Sequence, residues 1–255
     1  MDELPEDWRT QMTRLVASRV PADGTLFTGS ASLTPLGQIG VYRRQYELRL
    51  YDALRDDLLG LSALLDHELG RAPAKARLWA YLRAHPSQSW TLNRVGVHIV
   101  DWLQACEAPA HHVEMARLDR AIQRGFEATD GRPITPEALA TLPTLCLQPP
   151  VQLLRLTTNV HRIRNAAVTE EQDALPALET GLDIPLVVFR KANRMRTWEL
   201  KPGAWRVLEG LNDGAPLLEA IGAVVEEGLV EPDRVAQEVE GWFRDFAQHQ
   251  LVEVR

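Results

Sequence analysis

Histidines and carboxylates come together at His111-His112-Val113-Glu114, with Asp119 a little further on. Imidazole and carboxylate groups at that density can ligate a transition metal. Neighbouring residues on a helix diverge by about 100° around its axis, so these two imidazoles need partners from elsewhere to close a site. The simpler reading makes them polar residues at a helix start. His85, before Pro86, can act as an acid or base only beside a nucleophile or carboxylate, and none stands at a recognisable spacing, which favours a turn residue bonded to the backbone. Arg190, Lys191, Arg194, Arg196 and Lys201 fall within twelve residues opposed only by Glu199, in a chain of net charge -7. Such a cluster either keeps a strand edge from pairing with other chains or selects an acidic peptide on that edge. Trp198 shares a pleat face with Arg196 and Leu200, which suits a core anchor. A last group, Tyr42, Arg43, Tyr46 and Arg49, combines phenol rings with planar bidentate donors that can hold carboxylates of another subunit.

The familiar catalytic signatures are missing. The chain contains no Walker-type phosphate loop, no G-x-G-x-x-G after a strand, no G-x-S-x-G elbow and no H-E-x-x-H pair. No catalytic residue, metal ligand or cofactor is therefore assigned to this chain, and an enzyme is not expected.

The elements that must position these groups follow from periodicity. Tyr42, Tyr46, Leu50 and Leu54 recur every four residues, and Ala53, Leu58, Leu61, Leu64 and Leu65 widen the stripe, which predicts one long amphipathic helix over 37–65. Trp8, Met12, Leu15 and Val16 predict an earlier helix over 3–20, and the Gly, Ser, Thr and Pro of 21–35 a loop. Gly70 and Pro73 mark a break before a helix over 74–84, which ends at His85-Pro86-Ser87. A helix capped by Ser89 or Thr91 buries Leu92, Val95, Ile99 and Leu103, and another runs through Val113, Met115, Leu118, Ile122 and Phe126. Residues 1–128 thus read as a helical domain. Residues 129–150 carry five prolines and a short helical piece, PEALATL, and read as a linker.

The remainder, 151–255, changes character. Residues 151–158 suggest a strand, 159–167 a short helical or irregular segment, and 170–183 an acidic exposed loop. Leu186 to Arg190 and Met195 to Leu200, with Lys191-Ala192-Asn193 between them, predict a hairpin over 184–200. Helices follow from Pro202 to Asn212-Asp213-Gly214, over 217–225, and from Asp233 through Phe246, with a closing strand over 251–254. The fold class is mainly α with an α+β C-terminal module of winged-helix-like or peptide-recognition-element-like form.

Composition narrows the function classes. With 45% hydrophobic and 25% charged residues over 255 positions, the chain reads as globular with room for two cores. A sequence pI near 5.6 disfavours general nucleic-acid binding, which calls for a basic domain or stripe. Cys106 and Cys146 sit apart in apolar segments, as buried thiols in a reducing compartment do. No apolar run approaches the ~18 residues of a membrane span, and the acidic start MDELPEDWRTQM lacks a signal-peptide pattern, so a cytoplasmic location is expected.

One combination is more specific. Tyr42-Arg43-x-x-Tyr46-x-x-Arg49-Leu50-x-x-Ala53-Leu54, then Tyr81-Leu82-Arg83-Ala84-His85-Pro86-Ser87, Leu92-x-x-Val95-Gly96 and Trp102-Leu103, resembles a bacterial family that carries the label DNA-binding domain. It includes the HvfC/BufC-type partner subunits of multinuclear iron-dependent oxygenases, which modify cysteines of ribosomal peptides such as the methanobactin precursor (RiPP biosynthesis). The resemblance covers roughly residues 10–125, and the region after Pro150 more loosely. It implies a non-catalytic subunit that forms a heterodimer with a TIM-barrel-type oxygenase, the iron being the partner's, and that presents a precursor peptide to it. The leader peptide would add as a strand at the hairpin, with Val188, Arg190, Arg194, Arg196 and Trp198 as contacts, while Tyr42, Arg43, Tyr46 and Arg49 face the oxygenase. The alternative takes the family label literally and makes the chain a DNA-binding regulator, but the stretches Arg155 to Arg164 and Pro202 to Leu211 are too sparsely basic to favour it.

Overall fold

A computed structural model describes residues 29–30, 32–87, 91–132, 134, 144–169 and 175–254; the helix expected over 3–20 and the helical piece PEALATL lie outside them. The chain divides into two compact units, Met1–Glu107 and Ala108–Arg255. It is mainly helical, and its described strands are antiparallel and lie in the C-terminal half.

In the first unit, α1 (Pro35–Asp57) opens on Thr34, whose hydroxyl accepts from the Gly37 N–H, with proline in the first turn where no N–H is needed. Its buried residues are Ile39 and then Leu50, Tyr51 and Leu54. The helix expected to run unbroken to Leu65 bends at Leu58 (φ -117°, ψ 51°) and resumes as α2 (Leu59–Leu69). Leu58, Leu61, Leu64 and Leu65 stay inward across the bend, so burial rather than a breaker residue sets it. Gly70, at φ 81°, turns the chain in a conformation that costs glycine little. The next helix, α3 (Arg71–Ala84), begins before Pro73 rather than after it, because a proline in the first helical turn removes no hydrogen bond. The single helix expected after Thr91 is divided into a 3₁₀ turn, Leu92–Arg94, and α4 (Ile99–Ala105). Tyr81 explains the division: its hydroxyl donates to the Val95 carbonyl at 2.7 Å and accepts from the His98 N–H at 3.3 Å, groups that a continuous helix would use internally.

The second unit holds α5 (Ala110–Glu127), β1 (Leu145–Leu147), β2 (Gln152–Thr158), α6 (Val160–Val168), β3 (Thr180–Lys191) and β4 (Arg194–Glu199). It continues with α7 (Pro202–Asn212), α8 (Leu217–Glu226), α9 (Val235–His249) and β5 (Val252–Val254). One sheet has the order β2-β3-β4, and a second pairs β1 with β5. The boundary falls earlier than residue 128, because α5, expected in the helical domain, packs against the three-stranded sheet and α6. The proline-rich stretch is likewise more than a bridge, since it carries β1. Residues 180–183, expected in a loop, form the start of β3.

Strand alternation divides the sheet into two clad faces. Val187 and Phe189, with Leu153 and Trp198, join a core with Trp205, Leu208 and Leu211 of α7, Val224 of α8, and Trp242 and Phe246 of α9. On the other face lie Leu186, Val188 and Arg190, toward α5 and α6. Glu114 of α5 ties that face down: its carboxylate accepts from the N–H and hydroxyl of Thr157 (2.8 and 2.7 Å) and of Thr158 (3.0 and 2.6 Å).

Candidate functional site

The hairpin turns at Ala192 and Asn193, both at positive φ (49° and 57°), the signature of a two-residue type I′ turn. Its closing pair is Lys191 with Arg194, followed by Arg190 with Met195 and Phe189 with Arg196. Bonded and non-bonded pairs alternate along an antiparallel ladder, so Arg194, Arg196 and Trp198 turn their main-chain groups toward β3. The Leu200 N–H, donating to the Pro185 carbonyl at 2.8 Å, keeps the same phase. Met195, Thr197 and Glu199 therefore direct their N–H and C=O groups away from the sheet. Among the described residues these groups have no main-chain partner. Arg194 and Arg196 are exposed beside them and form no ion pair among the described residues.

The other expected peptide contacts are placed differently. Val188 has no exposed surface. Arg190 has its side chain 12% exposed and donates to the Phe126 and Ala128 carbonyls, at 2.6 and 2.8 Å, and to Asp130 at 2.7 Å. Its guanidinium thus satisfies carbonyls at the end of α5, where a helix leaves them without partners. The period-two pattern carried the signal, because Arg190 shares the parity of the inward Leu186 and Val188. Trp198 packs against the core and His249, the rings 5.1 Å apart.

Beside the open edge lies a groove of about 580 Å³ whose walls include Trp198, Lys201, Glu238, Gly241, Trp242 and Asp245. A Cβ on Gly241 would meet nothing within 4 Å, so α9 presents a bare ridge there. Glu238 faces Lys201 at 3.9 Å and Arg244 binds Glu240 at 2.7 Å, whereas Asp245 has no ion pair among the described residues. Trp242 is 6% exposed and its indole N–H has no hydrogen-bond partner among the described residues.

Electrostatics differ along the edge. At the end remote from the turn, Glu199 receives His161 Nε2 at 2.7 Å and Arg162 at 3.0 Å. Burial alone would raise its carboxyl, but the hydrogen bonds from His161 and Arg162 outweigh that and hold it below the usual carboxylate range. Nearer the turn, His249 is pushed below the usual histidine range by burial first and by the Lys191 charge second, against the pull of Asp245. A second cleft, of about 640 Å³, lies under β2 and α7 and contains the bidentate Arg155–Asp183 pair (2.6 and 2.7 Å) and the Arg206–Glu227 pair (2.7 Å). These charges already neutralise one another.

The metal-like sequence cluster does not assemble as one group. Glu114 is spent on the threonines, and Asp119 binds Arg164 at 2.7 Å. The His111 and His112 rings lie edge to face, 4.5 Å apart. His85 ends α3 with its N–H on the Tyr81 carbonyl, and its ring stacks between those of Tyr81 and His98 at 5.1 and 5.4 Å. Tyr42 is 53% exposed rather than core, Arg49 is exposed, and Arg43 and Tyr46 are half-buried. Tyr42, Tyr46 and Arg49 lie within about 60° of one another around α1.

The sequence reading missed Asp245 and Trp242 as a pair. Their spacing of three on α9 was visible, but its position next to β4 was not. No protein-family model matches the chain. No curated protein matches it.

Proposed function

We propose that this chain is a non-catalytic recognition subunit: it binds an iron-dependent oxygenase and presents a ribosomal precursor peptide to it for cysteine modification, holding the peptide as an added strand on β4. The observation that supports this reading is the outward row of main-chain groups at Met195, Thr197 and Glu199, on a sheet with both faces covered. An extended peptide satisfies such a row with ladder hydrogen bonds, and flanking side chains select its sequence. The family resemblance of α1 and the Ala84-His85-Pro86-Ser87 turn assigns the oxygenase contact to the first unit, with Tyr42, Arg43, Tyr46 and Arg49 as its candidate residues. Capture of this kind raises the effective concentration of the peptide at a partner's reaction centre. The chemistry belongs to that partner.

Thr197→Pro tests the reading. The Thr197 N–H points outward, so proline removes an edge donor and leaves the β3–β4 ladder intact, as prolines on edge strands do. Co-expressed with an oxygenase and a small cysteine-containing peptide encoded beside this chain, the variant should recover the oxygenase at unchanged stoichiometry and lose the peptide. Retention of the peptide, or loss of both partners from a folded variant, would contradict the division of labour. Arg194→Glu with Arg196→Glu should weaken peptide binding in the same selective way.

A further inference from the structure

The charges beside the open edge are ordered, and their order specifies what kind of strand fits. Arg194, Arg196 and Trp198 project to one side of β4, the side that faces α9. The turn end of that row is cationic through Arg194 and Arg196, both exposed and without ion pairs among the described residues. The other end opens into the groove between Trp198 and Trp242, where Asp245 is the carboxylate left without an ion pair among the described residues. Glu238 and Glu240 in the same groove are already opposed by Lys201 and Arg244. A cation entering there meets Asp245 beside the half-buried Trp198, a setting that favours lysine or arginine over an acidic side chain.

We propose that β4 and α9 together select a strand with the charge order cation-x-anion-x-anion, running antiparallel to β4. The inference rests on the strand-addition reading and adds the substrate's chemistry to it. Antiparallel pairing is adopted because it is the more stable ladder per residue. Across the open edge, the residue opposite Trp198 then precedes those opposite Arg196 and Arg194 by two and four positions. All three side chains fall on the α9 side because strand side chains alternate. The first should be lysine or arginine and the other two aspartate or glutamate.

Fluorescein-labelled synthetic peptides of about nine residues, long enough to span the six residues of β4, provide the probe for anisotropy titration of the full chain. Lys-x-Glu-x-Glu in a threonine- and valine-rich background should bind about tenfold more tightly than the order Glu-x-Glu-x-Lys of identical composition, as expected for three partly exposed charge contacts. Asp245→Lys should abolish that preference, whereas Asp245→Asn should reduce it. Equal affinity for both orders, with N-methylation of alternate amides abolishing each, would overturn the charge order and leave strand addition standing. Binding of neither peptide would overturn both. Self-association of the chain that Thr197→Pro abolishes would make a second copy the occupant and would also overturn the proposal.

Discussion

Replacing Glu114 with glutamine should weaken the second unit by about 2–3 kcal/mol, and the structure shows how that figure arises. The native carboxylate accepts from two N–H groups and two hydroxyls, at 2.6 to 3.0 Å, all from Thr157 and Thr158. A carboxamide has one acceptor oxygen, which can serve one threonine. Its NH₂ group must then face the other threonine, whose hydroxyl can rotate to accept but whose N–H cannot. One backbone donor is left unsatisfied, at roughly 1–3 kcal/mol if it is the buried Thr158 N–H and toward the low end if it is the part-buried Thr157 N–H, and the retained bonds lose the strength of a charged acceptor. Relief from burying a charge offsets part of this. Urea denaturation should report a lower midpoint with an unchanged slope. Amide hydrogen exchange should localise the effect, with the N–H of Thr157 or Thr158 exchanging about 30-fold faster if it follows opening of the unit. A shift below about 0.5 kcal/mol, with both amides as protected as before, would refute the view that this carboxylate pins β2 to α5.

The remaining expectations concern the turn, a close approach and a titration. Ala192→Gly should stabilise the chain by about 0.5–1 kcal/mol, seen as a higher melting temperature, because Ala192 holds φ 49° and glycine adopts that region without strain. Gly125→Ala should cost about 1–3 kcal/mol in urea denaturation, since its Cβ would stand 2.6 Å from the Pro150 carbonyl oxygen, a backbone atom that cannot swing aside. His249 lies below its ordinary 6.5 in the folded chain, so the stability it contributes is complete above that value and is lost as pH falls through the folded value. The urea midpoint of the native chain should therefore drop as pH falls past 6.5 and through the lower folded value, and His249→Gln should flatten that drop.

Much of the C-terminal architecture was legible because its punctuation is local. Pro202 and Asn212-Asp213-Gly214 bracket α7, and the β-branched run beside Lys191-Ala192-Asn193 announces the hairpin. What escaped depends on distant partners. Leu145-Cys146-Leu147 is too short and too hedged by prolines to read as a strand, and it becomes one only by pairing with Val252–Val254. Thr180 to Asp183 reads as a loop from its glycine and aspartate, yet pairing of Thr180 with Thr158 draws it into β3. The apolar stripe of α5 reveals a buried face but not which core receives it. The candidate site was legible in type more than in detail: alternation placed the arginines on a hairpin, but Arg190 turns inward and Asp245 arrives from a helix far along the chain.

The three-stranded sheet, clad on both faces, meets its surroundings through the open edge of β4. Amide groups are alike in every residue, so an edge that docks through them places its constraint on strand conformation and on a few flanking charges. Most letters along such an edge can turn over while the geometry persists. A lineage that recognises partners this way would keep its history in shape longer than in spelling, and its relatives would be easier to find by the position of an unpaired strand than by the residues that compose it.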